Sequence, residues 1–515
     1  MFNSIRLKKP KKNFFDLSHD VKMSHNMGDL VPICAIECVP GDKFSIGVES
    51  LHRFAPLVAP VMHRFDVYTH YFFVPNRILW KNWEKFITNT KDKATDEVPA
   101  APYFALGIRN GSPTMDISVG SLADYMGLPT GDDVGGLPDY TDPIKINALP
   151  FAAYQRIWHE YYRDQNLQDV DPLELEDGAN DYSDFSQLRK RAWKHDYFTA
   201  ALPFAQKGET VDLPLGAIEL EDMPVLTTDP AGSVITATPN NLTLEAGITD
   251  LPNTDVYVPG GIHGQVEPTT INDLRRAFRL QEWLERNARG GTRYIENILS
   301  HFGVRSSDKR LNRPEYICGA KTPITVSEVL QTSESNLGEE NSTPQGNMAG
   351  HAVGVMTGKQ GTYFVEEHGY IIGIMSVLPI AAYQQGIPRH FLKFDFLDYY
   401  WPTFAHLGEQ EIKNMELYVT DDNSQNEGTF GYIPRYAEYK YTPSRVAGEF
   451  RTSLNFWHAG RIFDDAPMLN EDFIMCDPTT RIFAVEDDQY HKLYSHVYNR
   501  IKAIRPMPKF GTPTI

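Results

Sequence analysis

Cysteine is scarce in this chain: four in 515 residues, at positions 34, 38, 318 and 476. Cys34 and Cys38 lie four apart without neighbours that would complete a zinc site, so all four read as thiols of a reducing compartment. No run of about 18 apolar residues occurs, which excludes an apolar membrane-spanning helix. The nearest is YIIGIMSVLPIAAY (370–383), which Pro379 interrupts; it reads as a buried strand or strand pair. The opening MFNSIRLKKPKKNFFDL is basic with no apolar stretch after it, so no secretory leader is expected. Catalytic signatures are missing too. His159-Glu160 has Arg163 where a zincin helix requires its second His. There is no G-x-S-x-G elbow, phosphate-cradling loop or dinucleotide fingerprint. His52, His63 and His70 fall in one strand-rich third without a regular ligand geometry. Asp132-Asp133, Asp464-Asp465 and Asp487-Asp488 read as solvated loop acids rather than a hard-cation site. The reading is of a chain that is not an enzyme, with no metal and no cofactor.

One further absence is local. Between Lys207 and Arg275 there is neither Lys nor Arg, while Glu209, Asp212, Glu219, Glu221, Asp222, Asp229, Glu245, Asp250, Asp255, Glu267 and Asp273 all lie there. Such a segment repels a polyanion and suits an outward face.

The composition itself is that of a globular protein, 41% hydrophobic and 23% charged. Length suggests about three domains as a soft prior. A net charge of −18 argues against nucleic-acid binding until the distribution is considered. Arg6, Lys8, Lys9, Lys11 and Lys12 crowd the first dozen residues with no acid among them. Arg500, Lys502, Arg505 and Lys509 recur near the other end, beside Pro506, Pro508 and Phe510, and read from 498 as an extended basic tail. Both clusters are candidates to neutralise phosphates, and Phe14, Phe15 and Phe510 to stack on bases.

Periodicity predicts a strand over 65–74, apolar on both parities and therefore covered on both sides. A short helix is expected over 78–89, then mostly loop over 88–148. Phe151, Tyr154, Ile157, Trp158, Tyr161 and Tyr162 form a wide apolar stripe on a helix over 151–164. Its surplus of Tyr and Trp suits either a core or a subunit interface. Helices are also expected over 272–288, capped by Asn272 or Thr270 and stopped by Gly290-Gly291, and over 293–302. Arg275, Arg276, Arg279, Arg286, Arg289 and Arg293 make this the most cationic folded region. After 310 the chain reads as strands and turns, with alternation at Leu392, Phe394 and Phe396 and strand-like stretches at 432–435 and 438–441. No internal repeat is present.

Several segments together resemble one family: FDLSHDVKMSHNMGDLVPI (15–33), VPGDKF (39–44), FDVYTHYFFVPNRILWKNWEKFI (65–87), LPFAAYQRIWHEYYRDQNLQ (149–168), WKHDYFTAALPFAQKG (193–208) and NDLRRAFRLQEWLERNARGGTRYIE (272–296). They resemble the major capsid protein of the Microviridae, the small icosahedral single-stranded-DNA phages, and its gokushovirus branch above all. The resemblance spans nearly the whole chain and lapses over 211–260.

The resemblance implies an all-β fold, an eight-stranded viral jelly roll (a β-sandwich) with long inserted loops and a few short helices. It divides the chain into a basic arm (1–29), a first jelly-roll part (30–208), an acidic surface insertion forming a threefold protrusion (209–268), a second jelly-roll part (269–497) and a basic tail (498–515). It implies a T=1 icosahedral shell around a circular single-stranded DNA genome, located in the virion and assembled in the bacterial cytoplasm. Implied partners are about sixty copies of itself through pentamer and threefold contacts, an internal scaffolding protein, a DNA pilot protein, a small basic DNA-binding protein, single-stranded DNA and a host cell-surface receptor. On this reading Arg6, Lys8, Lys9, Lys11, Lys12, Arg500, Lys502, Arg505 and Lys509 face DNA. Trp158, Tyr161, Tyr162, Arg163, Arg275, Arg276, Trp283 and Arg286 face other subunits. Glu219, Glu221, Asp222, Asp229, Glu245, Asp250 and Asp255 face the receptor. The residues alone leave two other classes open: a β-sandwich lectin or adhesin, which the Trp and Tyr content suits, and a sandwich glycoside hydrolase, for which no carboxylate pair stands out.

Overall fold

A computed structural model of the chain describes residues 11–90, 97–109, 112–131, 136–138, 141–169, 174–208, 211, 218–220, 225–228, 234–237, 264–266, 271–291, 293–330, 348–358, 360–485, 487 and 489–510. The chain divides into two compact units, Met1–Ala205 with Thr292–Ile515, and Gln206–Gly291.

The larger unit is built on one curled antiparallel sheet. Its strands, in chain order, are β1 (Asn13–Asp16), β2 (His19–His25), β3 (Val31–Cys38), β4 (Lys43–Phe54), β5 (Phe65–Pro75), β6 (Glu315–Leu330), β7 (Met348–Thr357), β8 (Gly361–Phe364), β9 (Gly369–Pro379) and β10 (Leu493–Arg505). In space the order is β1–β10–β4–β7–β6–β5–β9–β3, with β2 also on β10 and β8 also on β4. The long β6 makes the curl. Its first part, Glu315 to Ile324, pairs with β5, and its second, from Thr325, pairs with β7. The two halves of the sheet thereby face each other. Phe44, Ile46 and Val48 of β4 and Val497 and Ile501 of β10 meet Ile33, Phe65, Val67, Phe73, Ile371 and Met375 in one apolar cluster. This is an all-β, jelly-roll-like sandwich. Each such side chain removed from water stabilises it by roughly 1.5–3 kcal/mol.

Alternation explains which strands have one covered face and which have two. Along β10, Leu493, Val497, Ile501 and Ala503 point into the sandwich, while Tyr494, His496, Lys502 and Ile504 point out. On β5 and β9 the outward parity is apolar as well. Phe72 and Val74 join Tyr370, Ile372 and Ile374 in a second cluster on the sheet's outer side. Helix α1 (Leu149–Ile157) closes that cluster. Pro150 sits in its first turn, where no amide proton is needed. The helix runs on into a wider π-type turn, Trp158–Tyr162. The stretch over 88–148, expected as loop, contributes Phe104, Leu106, Met115, Ile117 and Leu122 to the same cluster. A third cluster gathers Trp193, Tyr197, Phe198, Phe430, Ile433 and Phe473. Between β2 and β3, Gly28 has φ +85°, and a Cβ there would lie 1.9 Å from the carbonyl oxygen of Cys476; only glycine fits.

The smaller unit holds α2 (Ile271–Gly290), ending where Gly291 takes φ 95°. Two short antiparallel pairings are described in it, Ile218–Leu220 with Gly264–Val266 and Val225–Thr228 with Val234–Ala237. The expected insertion over 209–268 falls within this unit, which also takes α2, a helix expected in the second jelly-roll part. Asn272 lies inside α2 rather than capping it, and Thr270 lies outside the described residues. Back in the larger unit, α3 (Tyr294–Phe302) is closed by Gly303 at φ 68°.

Three expectations are corrected. Residues 498–505 are the second half of β10, a strand hydrogen-bonded on both sides, so no free tail begins at 498. Leu392, Phe394 and Phe396 alternate without forming a strand. Single 3₁₀ turns stand there, Arg389–Phe391 and Phe396–Asp398, because the Asp398 carboxylate accepts the Phe394 and Asp395 amides at 2.9 Å each. Residues 438–441 likewise enter a 3₁₀ turn, Ala437–Tyr439, while Thr429–Pro434 is the strand expected around 432.

Candidate interaction surfaces

The aromatic helix was a candidate interface, and most of it is interior. Trp158 is buried and Arg163 nearly so. The Arg189 guanidinium lies over the Trp158 ring at 4.0 Å. Tyr161 donates to the Pro314 carbonyl at 2.6 Å and packs on Phe72. The Tyr162 hydroxyl meets His70 Nδ1 at 2.7 Å, and its ring lines an open groove with Tyr68, His70 and Tyr316. The interface role expected of Trp158 and Arg163 is therefore corrected: they close the chain on itself. What ties this turn down is Glu160. Its carboxylate accepts from Arg313 Nε at 3.0 Å and meets Arg156 at 3.2 Å. Burial raises its pKa, but the hydrogen bond from His159 and the charges of Arg156 and Arg313 outweigh that and hold it down to about 2. In the smaller unit Arg275, Arg276, Trp283 and Arg286 are all exposed on α2, with Arg286 meeting Glu282 at 3.3 Å.

The basic candidates fall into three sets. Arg6, Lys8 and Lys9 lie outside the described residues. Arg505 is committed inside the fold, its guanidinium on buried Asp42 at 2.8 and 3.0 Å and on the Glu37 carbonyl at 2.7 Å, which corrects its assignment to DNA. Lys12 donates to the Gly41 carbonyl at 2.7 Å and sits over the Phe364 ring, yet stays exposed. Lys11, Lys502 and Lys509 are exposed. Arg500 meets Glu49 at 3.3 Å with both side chains part-exposed. Lys502 stands on the outward face of β10, and that face carries three cations the sequence reading missed, the first being exposed Lys22, which pairs across from His496. Lys43 pairs across from Ile504, and Arg53 across from Tyr494, and both are exposed. The alternation in KFSIGVESLHRF would have revealed them. The acids here are engaged: Asp16 by Ser18, Asp20 by His496, Glu49 by Arg500.

Inside the sandwich a polar chain threads the same strands. His25 Nδ1 is 3.0 Å from the Asn26 carbonyl, so it carries the proton and Nε2 accepts from Ser495, 2.9 Å away. The Ser495 oxygen then accepts from His52 Nδ1 at 2.8 Å, and His52 Nε2 accepts from Ser50 at 2.7 Å. Every site is filled with both rings neutral. Burial pushes His25 down to about 4 and His52 to about 3.

A third surface was not anticipated. Phe394, Phe396, Tyr399, Tyr400 and Trp401 are each about half exposed or more, Phe394 at 89%. Their backbone is nonetheless fixed. Besides the Asp398 turn, Trp401 Nε1 donates to the Phe396 carbonyl at 2.9 Å, and the Tyr400 amide donates to the Tyr439 hydroxyl at 3.3 Å. Lys393 pairs with Glu438 at 2.8 Å beneath the Tyr439 ring.

Of the acidic candidates, Glu219 sits in the strand Ile218–Leu220, while Glu221, Asp222, Asp229, Glu245, Asp250 and Asp255 lie outside the described residues. Among the described residues no group of His, Cys, Asp or Glu is arranged to hold a metal.

Among the described residues the sandwich presents a basic outer sheet face and an exposed aromatic patch, surfaces that suit a structural protein working by contact. The chain matches the capsid protein (F protein) family over residues 4–515, and it belongs to that family. It is 34% identical to the capsid protein VP1 of Chlamydia phage 1, covering 98% of this chain and 95% of that one. It is 35% identical to the capsid protein VP1 of Bdellovibrio phage phiMH2K (97% and 94%) and 31% to that of Spiroplasma virus 4 (96% and 94%). The resemblance to the gokushovirus-type capsid proteins of the Microviridae thus holds over nearly the whole chain, and the protein is a non-enzymatic phage capsid protein.

Proposed function

We propose that about sixty copies of this chain close a T=1 icosahedral shell around a circular single-stranded DNA genome, with the bare face of β10 and β4 turned inward. The observation that carries this reading is that face. Among the described residues Lys43, Arg53 and Lys502 are exposed on it, and Lys11 and Lys12, also exposed, lie just before the β1 strand that pairs with β10. In a chain of net charge −18 such a concentration is where phosphates are met. The acid-rich segment over 209–268 then faces outward and meets the host receptor. Assembly takes place in the bacterial cytoplasm with an internal scaffolding protein, and a pilot protein and a small basic protein accompany the DNA.

The test is the double substitution Lys43→Glu and Lys502→Glu, made in the full chain co-expressed with its neighbouring genes. Closed particles with reduced DNA content are expected, and the salt slope of single-stranded DNA binding should fall by about one for each phosphate no longer neutralised. Particles with unchanged DNA content would sink the inward assignment. For the outward segment, replacing 211–260 by a short linker should leave assembly intact and abolish attachment to the host. Loss of assembly would instead make it a structural clamp.

A further inference from the structure

We infer that the aromatic patch at 394–401, together with Tyr439, is a contact between two copies of this chain. The inference rests on the shell-forming reading and adds to it the residues that join subunits. Three observations carry it.

The first is area. Phe394, Phe396, Tyr399, Tyr400, Trp401 and Tyr439 are each about half exposed or more. With about 150–250 Å² for a whole ring, they present on the order of 700 Å² of aromatic surface. A stable interface needs about 800 Å² per partner, so this patch alone nearly supplies one side. A solvated monomer rarely leaves so much apolar surface bare.

The second is preorganisation. Asp398 and Asp395 hold the local amides, the Trp401 indole is anchored to the Phe396 carbonyl, and the Tyr400, Tyr436 and Tyr439 rings form a triangle with centroids 5.0 to 6.1 Å apart. A loop held this firmly with its rings outward loses little further entropy on docking.

The third is charge. Copies that each carry −18 repel one another and adhere best where like charge is sparse. Lys393 and Glu438 neutralise each other beneath the patch, and its two exposed carboxylates, Asp395 and Asp398, are turned onto backbone amides, with the charges of Arg389 and Lys393 near Asp398. The face offered is mostly ring surface beside two carboxylates, which disfavours DNA, whereas a second copy can bring the same rings to it.

Two measurements test this. Hydroxyl-radical labelling compares closed particles that contain this chain as their only protein with the dissociated chain; Phe394, Tyr399 and Trp401 should react in the dissociated chain and be protected in the particle. The double variant Phe394→Ser, Trp401→Ser should fold and melt like the parent but lose the closed-particle peak in sedimentation. Equal labelling in both states overturns the inference, as does protection that appears only when a second protein is present in the particle. Closed particles from the double variant at parental yield overturn it while leaving the shell reading intact. A parental chain that closes no particles even when co-expressed with its neighbouring genes overturns the shell reading itself. Should the variant fail to fold, labelling of the parental chain decides alone.

Discussion

Two stretches of this protein carry five aromatic residues each and end up in opposite places. In 149–162 the rings of Phe151, Tyr154 and Trp158 are buried under the outer side of β5 and β9. In 394–401 five rings stand in solvent. Aromatic content does not separate them; the polar residues between the rings do. Along α1 the partners are long or neutral, Gln155 and Arg156, which reach back over the chain, and helical spacing gathers the rings on one side. In the second stretch Asp395 and Asp398 capture nearby amides, which stops any strand or helix and splays successive rings outward. Burial is thus decided by local hydrogen-bond competition, and function follows it: one stretch holds a subunit together, the other is available to join subunits.

The contrast can be broken most severely from the buried side. Phe151→Ala should cost about 3–5 kcal/mol, read by denaturant unfolding of the dissociated chain; a cost below about 1 kcal/mol would mean the second cluster is loosely packed. Next is Glu160→Gln, expected to cost about 3 kcal/mol because Arg313 and Arg156 lose a buried counter-charge. Glu160 has a depressed folded pKa, so its contribution is present above the ordinary carboxylate range and is lost as pH falls toward about 2. The variant should flatten acid unfolding in that window.

The histidine chain sharpens the comparison in a milder range. His25 and His52 are neutral when folded, with folded pKa values of about 4 and about 3 against an ordinary value near 6.5. The unfolded chain therefore binds more protons between those limits, and stability falls as pH drops below about 6.5, by about 1.4 kcal/mol per pH unit for each ring. Thermal scans at pH 7, 6 and 5 should show the decline, and His52→Gln should shrink it. The smallest effect belongs to the exposed stretch. Phe394→Ser should change the stability of the dissociated chain by no more than about 0.5 kcal/mol, measured by the same denaturant curve; a larger cost would place that ring in the fold.

Much of the sandwich was legible in the chain. The double parity of 65–74 announces a strand covered on both sides, and YIIGIMSVLP announces β9. The far end was misread because charge drew the eye from period. Tyr498, Arg500, Lys502 and Ile504 alternate with Asn499, Ile501 and Ala503, a strand with a basic outer face. Alternation marks Lys22, Lys43 and Arg53 as outward-facing, but only pairing with β10 brings them together on that face. The Leu392–Phe394–Phe396 alternation failed in the other direction, because two aspartates override period when their amides are within reach. Nothing local could tell that Arg505 would be spent on Asp42, far away in sequence and adjacent in space.

The position of β10 has a consequence in time. It lies between β4 and the β1–β2 edge, and its Asn499 side chain donates to the Ile33 carbonyl 466 residues earlier in the chain. At about 5–20 residues per second of synthesis, the first strands wait on the order of tens of seconds for the strand that joins them. Until then neither the basic face nor the histidine chain exists. A nascent chain is therefore unable to present this basic face until residues 493–505 have emerged, so the appearance of the face is timed by translation itself.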